Sequence, residues 1–257
     1  MLADLGQSEA RLRDDLLALG VRPGGVLMVH SSLRSLGPVP EGAETVIRGL
    51  LAARGTEGTL LMPALTYEHV GRHNPVFDVR HTPSNVGVIA ETFRLRPGTL
   101  RSLHPTHSVC AVGPLSRVLL EPHAADTTPC GPHSPFHTLP EHGGQILMLG
   151  CGLEPNTSMH AIEEMVAPPY LFDEPCDYRL IGEDGQVQTK AYTLHPLHLR
   201  GWVQRYDRVE PLMAAPGLRS GPVLAAKAFL LEARALWEVA LAALRRDPLY
   251  FVDPPAA

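Results

Sequence analysis

Residues 26–62 read VLMVHSSLRSLGPVPEGAETVIRGLLAARGTEGTLLM. Val26–His30 is a short apolar run with β-branched members, followed by the small polar pair Ser31 and Ser32 and then, past a loop, by helical spacing from about Glu41 to Arg54. A second apolar run, Thr59 to Met62, follows at once. This is a strand, loop, helix, strand unit. Upstream, Ser8 can cap a helix with apolar positions at Leu12, Leu16 and Leu19, with Gly20 placed to stop it. Downstream the spacing predicts a helix over 86–96 ended by Pro97, strands over 108–113 and 145–149, a Thr157-capped helix ended by Pro168 and Pro169, a strand over 186–194 and a long helix over 222–246. Several strands are apolar throughout, which requires cover on both sides. The expected fold is α/β, a single domain over residues 1–257 with a mixed central sheet covered by helices on both faces.

Composition narrows the function. The 257 residues, 44% of them apolar, suffice for one sizeable core. A net charge of −5, with no basic stripe interleaved with aromatics, argues against a nucleic-acid partner. No apolar run approaches the roughly 20 residues that span a bilayer, and the N-terminal residues do not resemble a signal peptide. A cytoplasmic protein without a membrane partner is expected. The four cysteines form no CxxC pair, so ordinary thiols are expected. Thirteen histidines invite a metal hypothesis, but without HExxH or a closely spaced Cys/His quartet no functional metal is expected.

Four stretches could carry chemistry. In VHSSLRSLG (Val29–Gly37), small hydroxyls leave the end of a strand, where open α/β sheets bind cofactors, although serines there also simply form turns. RSLHPTHSV (Arg101–Val109) sets His104 and His107 just before a buried strand, and either histidine alone reads as structural before it reads as catalytic. LMLGCGLEP (Leu147–Pro155) imitates a dinucleotide turn but puts Pro155 where the third glycine belongs. In TSMHAIEEM (Thr157–Met165), His160 and Glu163 are three apart, so on a helix the carboxylate can hold the imidazole tautomer and favour proton uptake. An exposed surface pair fits the same spacing.

In this order, the blocks VHSSL, GTLLMPALT, NPVFD, TPSNVGVIAETFRLRPGTLRSLHPTHSV, CGPHSPFHTL, GGQILMLG and NTSMHAIEE resemble the aminoglycoside 3-N-acetyltransferase family. The resemblance runs from about Arg22 to Pro168 and continues more weakly to the C-terminus. It implies acetyl-CoA as co-substrate and direct transfer to an amine, with aminoglycoside modification and hence antibiotic resistance as the biological setting. It implies His160 as general base oriented by Glu163, and the segments at Ser31, Ser32, Leu33 and Arg34 and at His104, Thr106, Ser108 and Val109 as the cradle of the CoA arm. A homodimer is compatible with it. Where antibiotic-modifying members tend to carry polar and acidic residues after MPALT, and a Met-Asp-Glu run later, this chain has Tyr67, Glu68, His69 and DRVEPLM (Asp207–Met213). The departure bears on which amine is accepted, so another primary amine stays open as substrate. A metal-dependent hydrolase and a catalytically silent CoA-binding module are the remaining alternatives.

Overall fold

A computed structural model describes residues 2–196 and 200–255. In chain order the elements are α1 (Leu2–Leu19), β1 (Val26–Ser31), α2 (Ala43–Arg54), β2 (Thr59–Pro63), β3 (Val76–Asp78), α3 (Val88–Leu95), β4 (Leu100–Arg101), β5 (Val109–Val112), α4 (Ser116–Leu120), α5 (Pro135–Thr138), β6 (Gln145–Leu149), α6 (Ser158–Val166), β7 (Cys176–Ile181), β8 (Val187–Tyr192), β9 (Val203–Gln204), β10 (Leu218–Val223), β11 (Ala226–Glu232), α7 (Ala233–Arg246) and β12 (Val252–Asp253).

The central sheet has the order β10-β11-β6-β1-β2-β5-β4. β1 lies parallel to both β2 and β6, while the outer pairings, β6 with β11 and β2 with β5, are antiparallel. The apolar runs are continuous because successive side chains serve different layers. Met28, Leu61, Ile146 and Met148 join the core under α6 and α7, whereas Leu27, Val29, Leu60, Met62, Leu147 and Leu149 join the core under α1, α2 and α3. The mixed, doubly covered α/β sheet expected from the sequence is the observed one. A smaller sheet, β3-β7-β8, has its own cluster of Val70, Phe77, Tyr178, Leu180 and Tyr192.

Local departures from the sequence reading have identifiable causes. The first helix starts at Leu2, ahead of Ser8, so Ser8 is an interior residue and not its cap. α1 crosses α2 so closely that a Cβ on Gly49 would stand 2.5 Å from a Leu12 methyl, which only glycine avoids. At α6, Asn156 and not Thr157 supplies the side-chain cap, its Oδ1 accepting from Ser158 N at 3.2 Å. The helix stops where Ala167 turns left-handed, its N–H donating to Glu163 O. The long helix expected over 222–246 is half strand. α7 covers only Ala233–Arg246, and the preceding residues form the β10–β11 hairpin turned at Leu224 and Ala225. Ala228, Phe229, Leu230 and Leu231 of β11 pair with Leu149, Met148, Leu147 and Ile146 of β6. The open antiparallel edge of β6 thus overrides the helical preference of an Ala/Leu-rich stretch.

Candidate active site

The carboxyl ends of the parallel strands β1, β2 and β6 open into a cavity of about 800 Å³, the position where an open α/β sheet usually binds its ligand. His30 and Ser31 enter from β1, Pro63 and Leu65 from the end of β2, and Cys151 from the turn after β6. That turn hugs the Ser32–Ser35 loop: Gly150 has φ +73°, and a Cβ on it would lie 2.8 Å from Ser35 Cβ. Thr157 and His160 contribute the α6 wall, and His195, Gln204 and Tyr206 close the far side.

His160 and Glu163 occupy one face of α6, buried and not paired on the surface. His160 Nδ1 stands 2.8 Å from Glu163 Oε2. Tyr206 donates its hydroxyl to Glu163 Oε2 and Tyr170 donates to Oε1, both at 2.7 Å. A carboxylate with no solvent contact therefore rests on three hydrogen-bond partners, which offsets the cost of burying its charge. Acceptance by this carboxylate puts the imidazole proton on Nδ1 and leaves the Nε2 lone pair facing the cavity, where the Gln204 amide donates to it at 3.0 Å. The Tyr206 hydroxyl is pushed well above its ordinary value by burial and by the charge of Glu163, so it stays a donor. An imidazole held in this way can accept a proton at Nε2, with a carboxylate beside the charge that forms.

The two stretches expected to cradle CoA part company. Ser31, Ser32 and Leu33 are half-buried and Arg34 is exposed, at and just beyond the end of β1; Ser31 lines the cavity, and Ser32 N–H is tied to Leu149 O at 2.9 Å. In the second stretch Thr106 and its neighbour His107 line the cavity. His104, Ser108 and Val109 are 0% exposed and form the wall behind it. Ser108 donates to Ala64 O at 2.8 Å and accepts from Arg101 Nε at 2.9 Å. His104 donates Nε2–H to Thr128 O and accepts from the backbone N–H of Thr106 and His107 at Nδ1, and its ring stacks on His123 at 4.8 Å. Those polar atoms are committed inside the protein.

Sequence reasoning did not single out Tyr170, Gln204, Tyr206, His30 or His195. His195 follows β8, and its ring centroid lies 4.8 Å from that of His160 and 5.7 Å from that of His107. Burial, reinforced by the neighbouring histidines, holds both His107 and His195 well below the ordinary imidazole value, and burial alone brings His30 down to about 3. Apart from Gln204 and Tyr206, which stand two residues apart and are hydrogen-bonded, no local spacing links these residues, because they come from different elements. The carboxylates on the cavity wall are Glu68 and Asp173, and Asp173 is already paired with Arg72 at 3.2 Å and Arg200 at 3.0 Å. Cys110 and Cys130 are buried. Burial pushes the Cys151 thiol, which does reach the cavity, up to about 12.

Residues 28–245 match the sequence profile of the aminoglycoside 3-N-acetyltransferase family. The chain is 36% identical to aminoglycoside N(3)-acetyltransferase IV of Salmonella sp, with 96% of this chain and 91% of that protein aligned. Among solved structures it superimposes on a histidine-to-alanine variant of aminoglycoside acetyltransferase AAC(3)-IVa in complex with a gentamicin at a TM-score of 0.81, with 35% identity and 96% and 92% of the two chains covered. It superimposes on AAC-IIIb binary with CoASH at a TM-score of 0.79, with 28% identity and 93% and 96% covered.

Proposed function

The chain belongs to the aminoglycoside 3-N-acetyltransferase family, and from that premise we propose how its residues move an acetyl group from acetyl-CoA to an amino group of an aminoglycoside. The reading takes residues 1–257 as a single acetyltransferase domain. The observation that carries it is the buried His160–Glu163 pair, with Nδ1 committed to the carboxylate and Nε2 at the cavity, where the side-chain amide of Gln204 is its partner. The amine nitrogen attacks the thioester carbonyl, its proton passes to His160 Nε2, and the C–S bond breaks to release the CoA thiolate, which recovers that proton as free thiol. Glu163 stabilises the imidazolium formed on the way, and Tyr170 and Tyr206 keep the carboxylate aimed. Because the transfer is direct, no cysteine is acetylated, a reading supported by the burial of Cys110 and Cys130 and the high pKa of Cys151.

The Ser31–Arg34 loop and the Thr106 segment flank the cavity mouth and offer hydroxyls, backbone N–H groups and one cation to the phosphate-bearing arm. His104, Ser108 and Val109 serve this site as the rigid layer that positions Thr106 and His107. On the acceptor side Glu68 is the cavity carboxylate without an arginine partner among the described residues, so the acceptor's ammonium groups are expected to meet it first. Steady-state transfer to a panel of aminoglycosides and simple primary amines, followed by mass of the acetylated product, tests the reading. Acetylation of simple amines with aminoglycosides left untouched would transfer the mechanism to a different substrate class.

A further inference from the structure

The interior of the cavity holds a second arrangement that proton abstraction does not require. His107, His160 and His195 can each turn one ring nitrogen toward a common point, with those three nitrogens within 4.8 Å of one another. Each ring also has an oxygen beside one of its nitrogens. His160 Nδ1 has Glu163 Oε2 at 2.8 Å, His107 Nδ1 has Thr106 Oγ1 at 3.0 Å, and His195 Nε2 has Glu164 Oε1 at 2.9 Å. Metal-binding histidines commonly have a carboxylate or hydroxyl beside the outward nitrogen while the inward one ligates.

His195 is the telling member. Its side chain is 2% exposed, yet among the described residues neither ring nitrogen completes a hydrogen bond, because the approach of Glu164 is close enough for attraction but off the donor direction. A buried imidazole with no partner is costly unless something else uses its lone pair. The rings are mutually tilted by 55–78°, so they converge edge-on and do not stack. Three nitrogens at ~2.0–2.1 Å from a tetrahedral ion lie ~3.3 Å apart, so small ring rotations bring this set to ligating distance.

We propose that His107, His160 and His195 bind one divalent transition-metal ion of the zinc class, and that this ion silences acetyl transfer by occupying His160 Nε2. Three neutral imidazoles with an open fourth position suit zinc, cobalt or copper and not calcium or magnesium, which require oxygen. The Gln204 amide now donating to that nitrogen is displaced when the ion enters. Binding is independent of what His160 does in catalysis, whereas silencing rests on its assignment as the base.

The test uses the full-length protein stripped with a chelator and then dialysed. Zinc titration by calorimetry is expected to give one site per chain, and cobalt is expected to give the visible d–d absorption of a tetrahedral nitrogen site. His195→Phe should weaken zinc by more than about 100-fold, beyond the cost of losing a mere orienting partner, and Thr106→Val by about 10-fold. His195→Gln, which retains a polar group, is the second variant if the phenylalanine chain misfolds, and His81→Ala, at an exposed histidine outside the cavity, should change nothing. Absence of a stoichiometric site, or a site that persists in both His195 variants, overturns the proposal. Zinc should also stop product formation, read by mass spectrometry because free CoA thiol binds zinc itself, and His195→Phe should resist that inhibition. Stoichiometric binding at this site without inhibition would leave the metal site standing and remove His160 as the base.

Discussion

The stretches Ser102–Val109 and Asn156–Val166 look alike in the sequence, since both set histidine among hydroxyl residues at the border of a regular element. Packing makes them opposites. In the first, both nitrogens of His104 are engaged by backbone groups and the ring is stacked on His123, whose Nδ1 in turn accepts from Ser102 at 3.0 Å. In the second, His160 commits one nitrogen to Glu163 and turns the other to an 800 Å³ cavity. A histidine with both nitrogens tied to backbone groups inside the wall holds structure; one whose second nitrogen lies at the cavity, met only by the side-chain amide of Gln204, can do chemistry.

The largest expected effect breaks the comparison at its functional end. His160→Ala should lose about 10²–10⁴-fold in kcat while acetyl-CoA affinity stays close to wild type, with a stability loss of about 1–3 kcal/mol because buried Glu163 gives up one of its three partners. His104→Ala should do the reverse. It strands the Thr106 and His107 N–H groups and opens a ring-sized void, costing about 3–4 kcal/mol, or roughly 6–15 °C in Tm for a chain of this size, with kcat per folded molecule retained. Paired thermal scans and single-turnover rates on the two variants distinguish the roles, and an inactive but fully stable His104→Ala would erase the contrast.

Acid sharpens it next. Burial brings His30 and His123 down to about 3 and His104 well below its ordinary value, so all three are neutral in the folded chain. The unfolded chain binds protons there once pH falls below about 6.5 and the folded chain does not, so stability declines as pH drops from that point toward the folded values. The slope is up to about 1.4 kcal/mol per pH unit for each histidine. Urea unfolding at pH 7.5, 6 and 5 should show this loss, and His123→Gln should flatten it by about one proton; a flat profile would mean that these rings are not buried neutral.

Smaller effects grade the support around the pair. Glu163→Gln should lose less than His160→Ala, because the imidazole remains while its orientation and charged form are less well held. Tyr206→Phe should cost less again, about 0.5–1.5 kcal/mol in transition-state stabilisation. The smallest contrast separates the serines. Ser31→Ala should raise the Kd for CoA about 2–10-fold, whereas Ser108→Ala should leave it unchanged and lower stability by about 1–3 kcal/mol, because Arg101 Nε loses its acceptor. Calorimetry and denaturation on both variants measure this, and equal CoA weakening in the two would put Ser108 back in contact with ligand.

Much of the sheet was legible. Strands 26–30, 59–62 and 145–149 stood out because layers on both sides demand unbroken apolar runs, and His160–Glu163 stood out because helical spacing alone puts the two on one face. The β10–β11 hairpin was not, since Ala and Leu favour a helix until β6 offers a partner edge. Tyr170 and Tyr206 were invisible for a related reason: a tyrosine that donates to a buried carboxylate has the same local sequence as one that merely fills space.

The sequence by itself determined the alternation of strands and helices, the covered sheet and the histidine–carboxylate spacing, because periodicity, glycine and proline placement and helical geometry act over a few residues. Only the tertiary structure decided that Glu163 receives two tyrosine hydroxyls, that the Ser108 hydroxyl meets Arg101 and Ala64, and that His107, His160 and His195 converge. Burial and hydrogen-bond satisfaction depend on which distant segments meet, and the energy that makes one nitrogen structural and another reactive is set by those neighbours.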